Sequence, residues 1–352
     1  MITYIPFLKF KTGEVNAIGA LDADVRAAIC PFFDLPKKEG LTADEFKGMV
    51  AKADRALGKH MPDLAEFYFD THDISDALFI DGIQNYRYLL EYLSEWPVIP
   101  VVGLDRDPSR IDAVKELKGE GKIASAHLAL RLSFEDFESY GAVEDEIAAL
   151  APIFELFEDL DLVFDCRICD GADPGKASKA IVKFSKQFCA EYQVRRVVVT
   201  GSSIPSSIST LLKVRTDLVI DRMELAIFQR VSPDHDHTAL VFGDYATVSP
   251  DYADVSLPPE MLQTMMTPRF IYTMKGRHFI IRGGRIKGDY GQYFGMAKTL
   301  CGKSFFRGKG FSPGDTYLEE KGRGLGSYCT PAAVIKPTVN AHITYMVSVL
   351  PF

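Results

Sequence analysis

The chain has 352 residues, 47% hydrophobic and 25% charged, with a mean hydropathy of zero and a formal net charge of −8. That is an ordinary composition for a soluble globular chain. Six cysteines scattered at positions 30, 166, 169, 189, 301 and 329 exclude a disulfide scaffold, and no apolar stretch approaches the length of a membrane span.

The N-terminal MITYIPFLKF has no basic start followed by a long apolar core, so no signal peptide is read and the expected location is the cytoplasm. It opens the first of eight short apolar runs, YIPFLKFK, ending at Lys11. AAICPFFD follows and ends at Asp34. A helix over 41–58 opens with Thr42 and Glu45 at capping-box spacing and stops at Gly58. EFYFD ends at Asp70, and 82–95 reads as the next helix. VIPVVGLD ends at Asp105, ahead of a helix over 108–121 that starts at Pro108. AHLALR ends at Arg131, with a helix over 133–158 behind Ser133 and Asp136. LDLVFDCRICDG carries Asp165 and Arg167, and a helix over 175–192 follows. RRVVVT ends at Thr200 and runs into GSSIPSS; 206–231 reads as one long helix, with a break in it left open. ALVFGD ends at Asp244.

Runs of this length, rich in Val, Ile, Phe and Leu, read as strands buried on both faces, spaced by roughly one βα unit of about 30 residues. Eight of them alternating with helices predict an α/β fold, a (β/α)8 TIM-type barrel, with a doubly wound open sheet as the rival. A barrel explains why apolar runs end on charges: strand C-termini face one mouth, where chemistry sits. Asp34, Asp70, Asp105, Arg131, Asp165, Arg167 and Asp244 would converge there. The competing reading makes such acids N-caps of the next helix, and Asp34 and Asp105 fit it as well. His72, two residues after Asp70, is a candidate proton carrier.

The barrel body is expected over 1–250, a basic Gly- and aromatic-rich insertion over 251–336, and a closing helix over 337–352. Between Arg269 and Arg323 twelve Lys and Arg face four acids, a local +8, so the remainder of the chain carries −16. A basic insert on an acidic body points to an anionic partner, small molecule or nucleic acid. The insert begins with a Pro-rich connector over 247–268, and RFIYTMKGRHFIIRGG then reads as two strands. Placed after the eighth strand, it would lay Arg269, Arg282, Gly283, Gly284 and the SPGD turn ending at Asp315 over the mouth. TGSSIPSS after the seventh strand, with Thr200, Ser202 and Ser203, matches the corner where barrels bind phosphate at a helix N-terminus; a Ser-rich cap is the alternative. PDHDH at 233–237 looks metal-binding by composition but falls at the opposite end of a barrel. Cys166-x-x-Cys169 is half of a zinc site with no second half.

RFIYTMKGRHFIIRGG, FSPGDTYL and VNAHITYMVSVL, with the acid-terminated strands upstream, resemble the beta protein family of T-even bacteriophages and bacterial prophages. The resemblance spans nearly the whole chain and is sharpest at Arg282-Gly283-Gly284, Ser312-Pro313-Gly314-Asp315 and Asn340-Ala341-His342. It implies a mobile-element or phage-conflict setting and no particular activity, and marks Asn340 and His342 in the last motif.

Three functional expectations stand side by side. In the first, the chain is a hydrolase of a phosphoester or glycosidic bond. Asp70, Asp165 and Asp244 then hold a divalent cation or act as acid and base, and His72 or His342 moves a proton. Arg131, Arg167 and Arg282 grip anionic oxygens, assisted by Thr200, Ser202, Ser203, Gly283, Gly284, Asp315 and Asn340. In the second, the barrel is a scaffold and the insert binds nucleic acid or a protein in phage–host conflict. In the third, the acids are caps and no chemistry remains. No membrane partner is expected, and the sequence does not give the oligomeric state.

Overall fold

A computed structural model describes residues 2–169, 171, 173–234, 238–252, 266–286 and 288–349. His235, Asp236 and His237 of PDHDH, and 253–265 of the connector, lie outside these.

Eight parallel strands close into a barrel: β1 (Tyr4–Lys9), β2 (Phe32–Asp34), β3 (Phe67–Asp70), β6 (Val98–Val102), β7 (His127–Leu132), β8 (Asp159–Ile168), β9 (Val194–Ser202) and β11 (Ala239–Asp244), with β1 paired to both β2 and β11. A two-residue hairpin, β4 (Phe79–Ile80) and β5 (Ile83–Gln84), decorates the connection after β3. All eight apolar runs form barrel strands, and the open-sheet rival is excluded by closure. Between β2 and β3 lies the helix Ala43–His60, started by the Thr42–Glu45 capping box. Asp107 caps Pro108–Gly119 by accepting from the Ser109 amide at 2.9 Å.

Side chains alternate along each strand. The outward set, including Leu8, Phe33, Phe69, Leu130, Phe164 and Val199, packs under the helices. The inward set fills the barrel: Ile5, Phe7, Phe32, Tyr68, Ile99, Val101, Ala129, Val163, Val198 and Val241. Phe7 stacks on Phe32 at 4.4 Å and Phe32 on Tyr68 at 5.0 Å, so an aromatic slab crosses the interior. Below the slab, Asp161 accepts from Tyr68 (2.7 Å) and from Arg195 (2.9 Å), and Glu66 pairs with Arg195 and Arg196 at 2.9 and 2.6 Å. The N-terminal end is thereby sealed, and the polar C-terminal end is left as the mouth.

The segment read as one long helix over 206–231 is instead a 3-10 turn at Ile208–Thr210, a strand β10 (Thr216–Asp221) and a helix Met223–Val231. TDLVID is β-branched and alternating, and it has a partner: β10 pairs antiparallel with β13 (Arg277–Arg282), which pairs with β12 (Arg269–Met274). This second sheet packs Phe270, Tyr272 and Phe279 against the helices Gln292–Cys301 and Pro313–Gly322. Its other face, Ile271 and Ile280, meets Ile204, Ile208 and Leu212 from the segment behind β9. The chain closes with the helix Ile335–Val349.

Candidate functional site at the barrel mouth

The last inward position of nearly every barrel strand is polar. β1 delivers Lys9, β2 Asp34, β3 Asp70, β7 Arg131, β8 Asp165 and β9 Thr200, and Tyr245 follows β11. Arg131 is the hub, lying 5.0 Å over the Phe32 ring. Its Nη1 donates to Asp34 Oδ1 (2.7 Å) and Asp70 Oδ2 (3.0 Å), and its Nη2 to Asp165 Oδ2 (2.7 Å) and the Tyr245 hydroxyl (3.0 Å). Tyr245 donates to Asp165 Oδ2 at 2.6 Å. Asp70 also accepts from Arg106 (2.9 Å) and Arg110 (2.8 Å), the latter from the first turn of its helix.

These contacts separate Asp34 and Asp70, two of the three acids that share Arg131. Burial alone would raise both. For Asp70 the guanidiniums of Arg106, Arg110 and Arg131 outweigh burial and hold the carboxyl well below its ordinary value. For Asp34 burial wins over Arg131, with the Asp70 charge adding to it, and the carboxyl is pushed up to about 6. Burial lowers Lys9 to about 8, reinforced by Lys11. Glu14, just behind β1, is pushed up to about 7 by burial. His72 is held neutral far below its usual value by burial and by Arg131 and Arg106. Its Nδ1 lies 2.8 Å from Arg106 Nη1, a pure donor, so the ring proton sits on Nε2.

At Asp165 the β8 register against β9 breaks, and Arg167 takes a left-handed backbone, φ 47°. Its amide donates to Asp165 Oδ1 at 2.9 Å, and its Nη2 to Asp251 at 2.7 Å and within 4.0 Å of Asp73. Two clefts lie nearby, one lined by Arg167 and the other by Asp73. The first, of about 550 Å³, is lined by Phe134, Asp165, Cys166, Arg167, Lys176 and Asp251; the second, of about 670 Å³, by Lys37, Lys38, His72, Asp73 and Ile74. Arg167 Nη1 and Asp73 Oδ2 at these clefts, and Thr200 Oγ1 on β9 opposite Asp165, are buried without a hydrogen-bond partner among the described residues.

The remaining candidates are placed elsewhere. Asp244 has the outward parity. It accepts from Tyr4 (2.5 Å), the Ala246 amide (2.7 Å) and Arg222, and lies 2.9 Å from His342 Nε2. His342 Nδ1 is 2.6 Å from Thr273 of β12, and Arg222 also reaches Glu224 at 2.9 Å. This is a sealed polar seam joining barrel, closing helix and second sheet, not part of the mouth. Ser203 donates to Glu224 (2.6 Å) and Ser202 to Val248 O (3.5 Å). Both serines lead into a three-residue 3-10 turn rather than a helix N-terminus. Asp315 accepts from Ser312 (2.6 Å) and Tyr272; Asn340 accepts from the Gly314 amide (2.8 Å) and donates to Ala17 O (3.1 Å). Arg282 donates to Leu212 O and Thr267, with Gly283 and Gly284 beside it in a separate cleft. Thus Asp70, His72, Arg131, Asp165, Arg167 and Thr200 come together, while Asp244, His342, Ser203, Arg282, Asp315 and Asn340 do not join them.

The three-carboxylate cation site does not assemble. Asp70 spends both oxygens on guanidiniums, Asp165 spends its own on Arg131, Tyr245 and the Arg167 amide, Asp244 lies on the other side of its strand, and among the described residues no three His, Cys, Asp or Glu gather to hold a metal ion. Lys9, Arg106, Arg110, Glu14 and Tyr245 were absent from the sequence-based site. Inward parity with Phe7 points to Lys9, and parity with Val241 to Tyr245. No sequence signal singles out Arg106 and Arg110.

Comparison with known proteins gives one family. The Beta protein model matches residues 4–348, so the chain belongs to the Beta protein family. No curated protein matches it. Among solved structures, the apo form of 3-keto-D-glucoside 4-epimerase from E. coli aligns over 74% of this chain and 96% of its own, at 8% identity and a TM-score of 0.35. Among the described residues no helix is long and apolar enough to cross a membrane.

Proposed function

For this member of the Beta protein family, we propose that the barrel mouth binds an anionic, phosphorylated or nucleotide-like small molecule and hydrolyses a phosphoester or glycosidic bond in it. The observation that carries the reading is the pair of buried donors without a partner among the described residues, Arg167 Nη1 and Thr200 Oγ1, beside acids already neutralised by arginine. A buried donor without a partner costs about 1–3 kcal/mol, a cost that a ligand oxygen removes. The bulge and the strained Arg167 sit at the same point, as backbone strain tends to at functional sites. Asp34 and Lys9 exchange protons near neutral pH and supply the acid and base, while His72 offers a fixed Nε2–H. Arg131 orients the acids rather than the ligand, since its donors are taken. The setting we propose is a phage or prophage product acting in the cytoplasm, supported by the motifs at 282–284, 312–315 and 340–342.

Thermal unfolding in the presence of sugar phosphates, nucleotides and inorganic phosphate tests the reading. A ligand at 100 times its Kd should add about 2.7 kcal/mol of stability to the native chain. That gain should vanish in Arg167→Met and shrink in Thr200→Val, both of which should still fold. An equal gain in Arg167→Met, or none with any anion, removes the mouth as an anion site. Release of phosphate or of a free base, lost in Asp34→Asn with binding retained, separates hydrolysis from binding alone.

A further inference from the structure

We propose that the cleft between β10, β13 and the helix Gln292–Cys301 binds single-stranded nucleic acid, at a site separate from the mouth. The cleft encloses about 650 Å³ and is lined by Arg215, Arg282 and Arg285 around an apolar strip of Ile281 and Met296. None of the three guanidiniums has a carboxylate partner among the described residues. Among the described residues Arg282 donates only to neutral acceptors, Thr267 Oγ1 at 3.0 Å and Leu212 O at 2.7 Å. The side chains of Arg215 and Arg285 make no hydrogen bond or ion pair among the described residues. Of the two acids in the wall, Asp217 is already neutralised by Lys303 at 3.0 Å, which leaves Asp289.

The backbone is arranged to present these cations. Arg215 has φ 60°, a left-handed conformation costly for a side chain of this kind, and it immediately precedes β10. Its guanidinium lies against Gly284, where a methyl group would stand 3.1 Å from Nε. The arginine thus stays over a bare backbone instead of pairing with a surface acid. Guanidiniums held in a cleft without counter-charges favour phosphate oxygens, which they grip bidentately.

The choice of a strand over a lone phosphate comes from exposed rings outside the cleft, which a chain of several nucleotides leaving it could reach around the helix Gln292–Cys301. Tyr328 is 66% exposed and Tyr290 38% exposed, unusual for large apolar surfaces. Tyr328 packs on Phe294 at 5.4 Å, and its Cε1 would lie 3.6 Å from a methyl at Gly291, two residues from Asp289 in the cleft wall. Arginines on phosphates with open aromatic faces alongside is the pattern that stacks unpaired bases, and paired bases in a duplex would not reach the rings.

Fluorescence anisotropy of the full chain with labelled single strands of about 12 nucleotides, at several salt concentrations, decides it. Binding should be salt-dependent and weaker for the matching duplex. Arg215→Ala with Arg285→Ala should lower the slope of log K against log salt by roughly 0.7 per arginine. Tyr328→Ala should weaken binding without changing that slope. Arg277→Ala, an exposed arginine of the same sheet paired with Asp221, and Arg167→Met at the mouth should both bind as the native chain does. Equal affinity for a mononucleotide and the strand, a double variant that binds unchanged, or loss in Arg167→Met would overturn the proposal. So would the absence of any binding by a folded native chain.

Discussion

Arg131 and Asp165 are joined through both Nε and Nη2, at 3.1 and 2.7 Å, while Asp34 holds the other end of the same guanidinium at 2.7 and 3.3 Å. One arginine therefore ties β2, β7 and β8 across the mouth, and its removal leaves buried carboxylates facing each other. Breaking such a group by deleting one partner costs about 3–5 kcal/mol. Arg131→Met should lower the free energy of urea unfolding by that amount. Arg131→Lys should not restore it, because an ammonium cannot serve both sides of the fork. A loss under about 1 kcal/mol would mean the acids take up protons freely and the hub is dispensable.

Glu14 gives the mouth a pH signature. Its carboxyl is raised by burial to about 7 from an ordinary 4.5. Between those values the folded chain keeps a proton that the unfolded chain has released, so stability falls as pH rises across this window. Asp34 adds the same sign up to about 6. Asp70, depressed, contributes the opposite sign and only in acid, where stability is lost as pH falls through its lowered value. The Glu14 shift corresponds to at most about 3 kcal/mol above pH 7. Glu14→Gln should therefore unfold about 1–3 kcal/mol later than the native chain near pH 8 and equally near pH 4.5. Equal stability at both values would show that Glu14 reaches water.

The barrel was legible because a strand buried on both faces is an apolar run whatever its neighbours, and eight such runs have few ways to pack. The mouth was legible in part. Asp70, Arg131 and Asp165 end their runs at inward positions, but Asp244 ends its run one residue out of phase, and a one-residue offset sends a side chain to the other face of a barrel. Counting parity from Val241 would have assigned Tyr245 to the interior and Asp244 to the seam. β10 was hidden for a different reason. TDLVID sits between helical segments, and its partner β13 lies some sixty residues on, so the pairing has no local signature. Arg106 and Arg110 reach Asp70 from a loop and a helix turn whose entry angle no spacing rule gives.

The Asp244–His342 pair has the look of a catalytic dyad and the surroundings of a structural one. Both side chains are fully buried, and Arg222, also buried, donates to Asp244 and Glu224. Asp244→Asn should cost about 3 kcal/mol by leaving Arg222 short of a charge. In the fraction that folds, a mouth ligand should bind as before. Burial, with Arg222 adding to it against the pull of Asp244, holds His342 below its ordinary value. The unfolded chain then binds more protons than the folded one below that value, so this histidine makes stability fall as pH drops. A folded Asp244→Asn that loses mouth binding would place the seam in the site after all.

Two of the motifs that carry the family resemblance, those at 312–315 and 340–342, are docking joints, and Gly314 shows it. Its amide donates to Asn340 Oδ1 at 2.8 Å, and a methyl there would collide with Pro337 O and stand 2.8 Å from the Ala341 amide nitrogen. The N-terminus of the helix Pro313–Gly322 therefore lies against the backbone of the closing helix, a contact that a side chain cannot share. Ser312 caps that helix through the Asp315 amide at 2.9 Å, and Asp315 fastens it to Tyr272 of β12. Gly314→Ala should cost about 1–3 kcal/mol through overpacking against atoms that cannot rotate away. The loss should be local, with amides of 269–322 exchanging hydrogen faster while barrel strands keep their protection. Gly295→Ala, on the helix Gln292–Cys301 with nothing within 4 Å of the new methyl, is the matched control and should stabilise by up to about 1 kcal/mol. If both variants behave alike, close approach is not what glycine supplies at 314. If barrel amides open together with the second sheet, the two parts fold as one unit, and the seam at Asp244, His342 and Thr273 is the coupling between them.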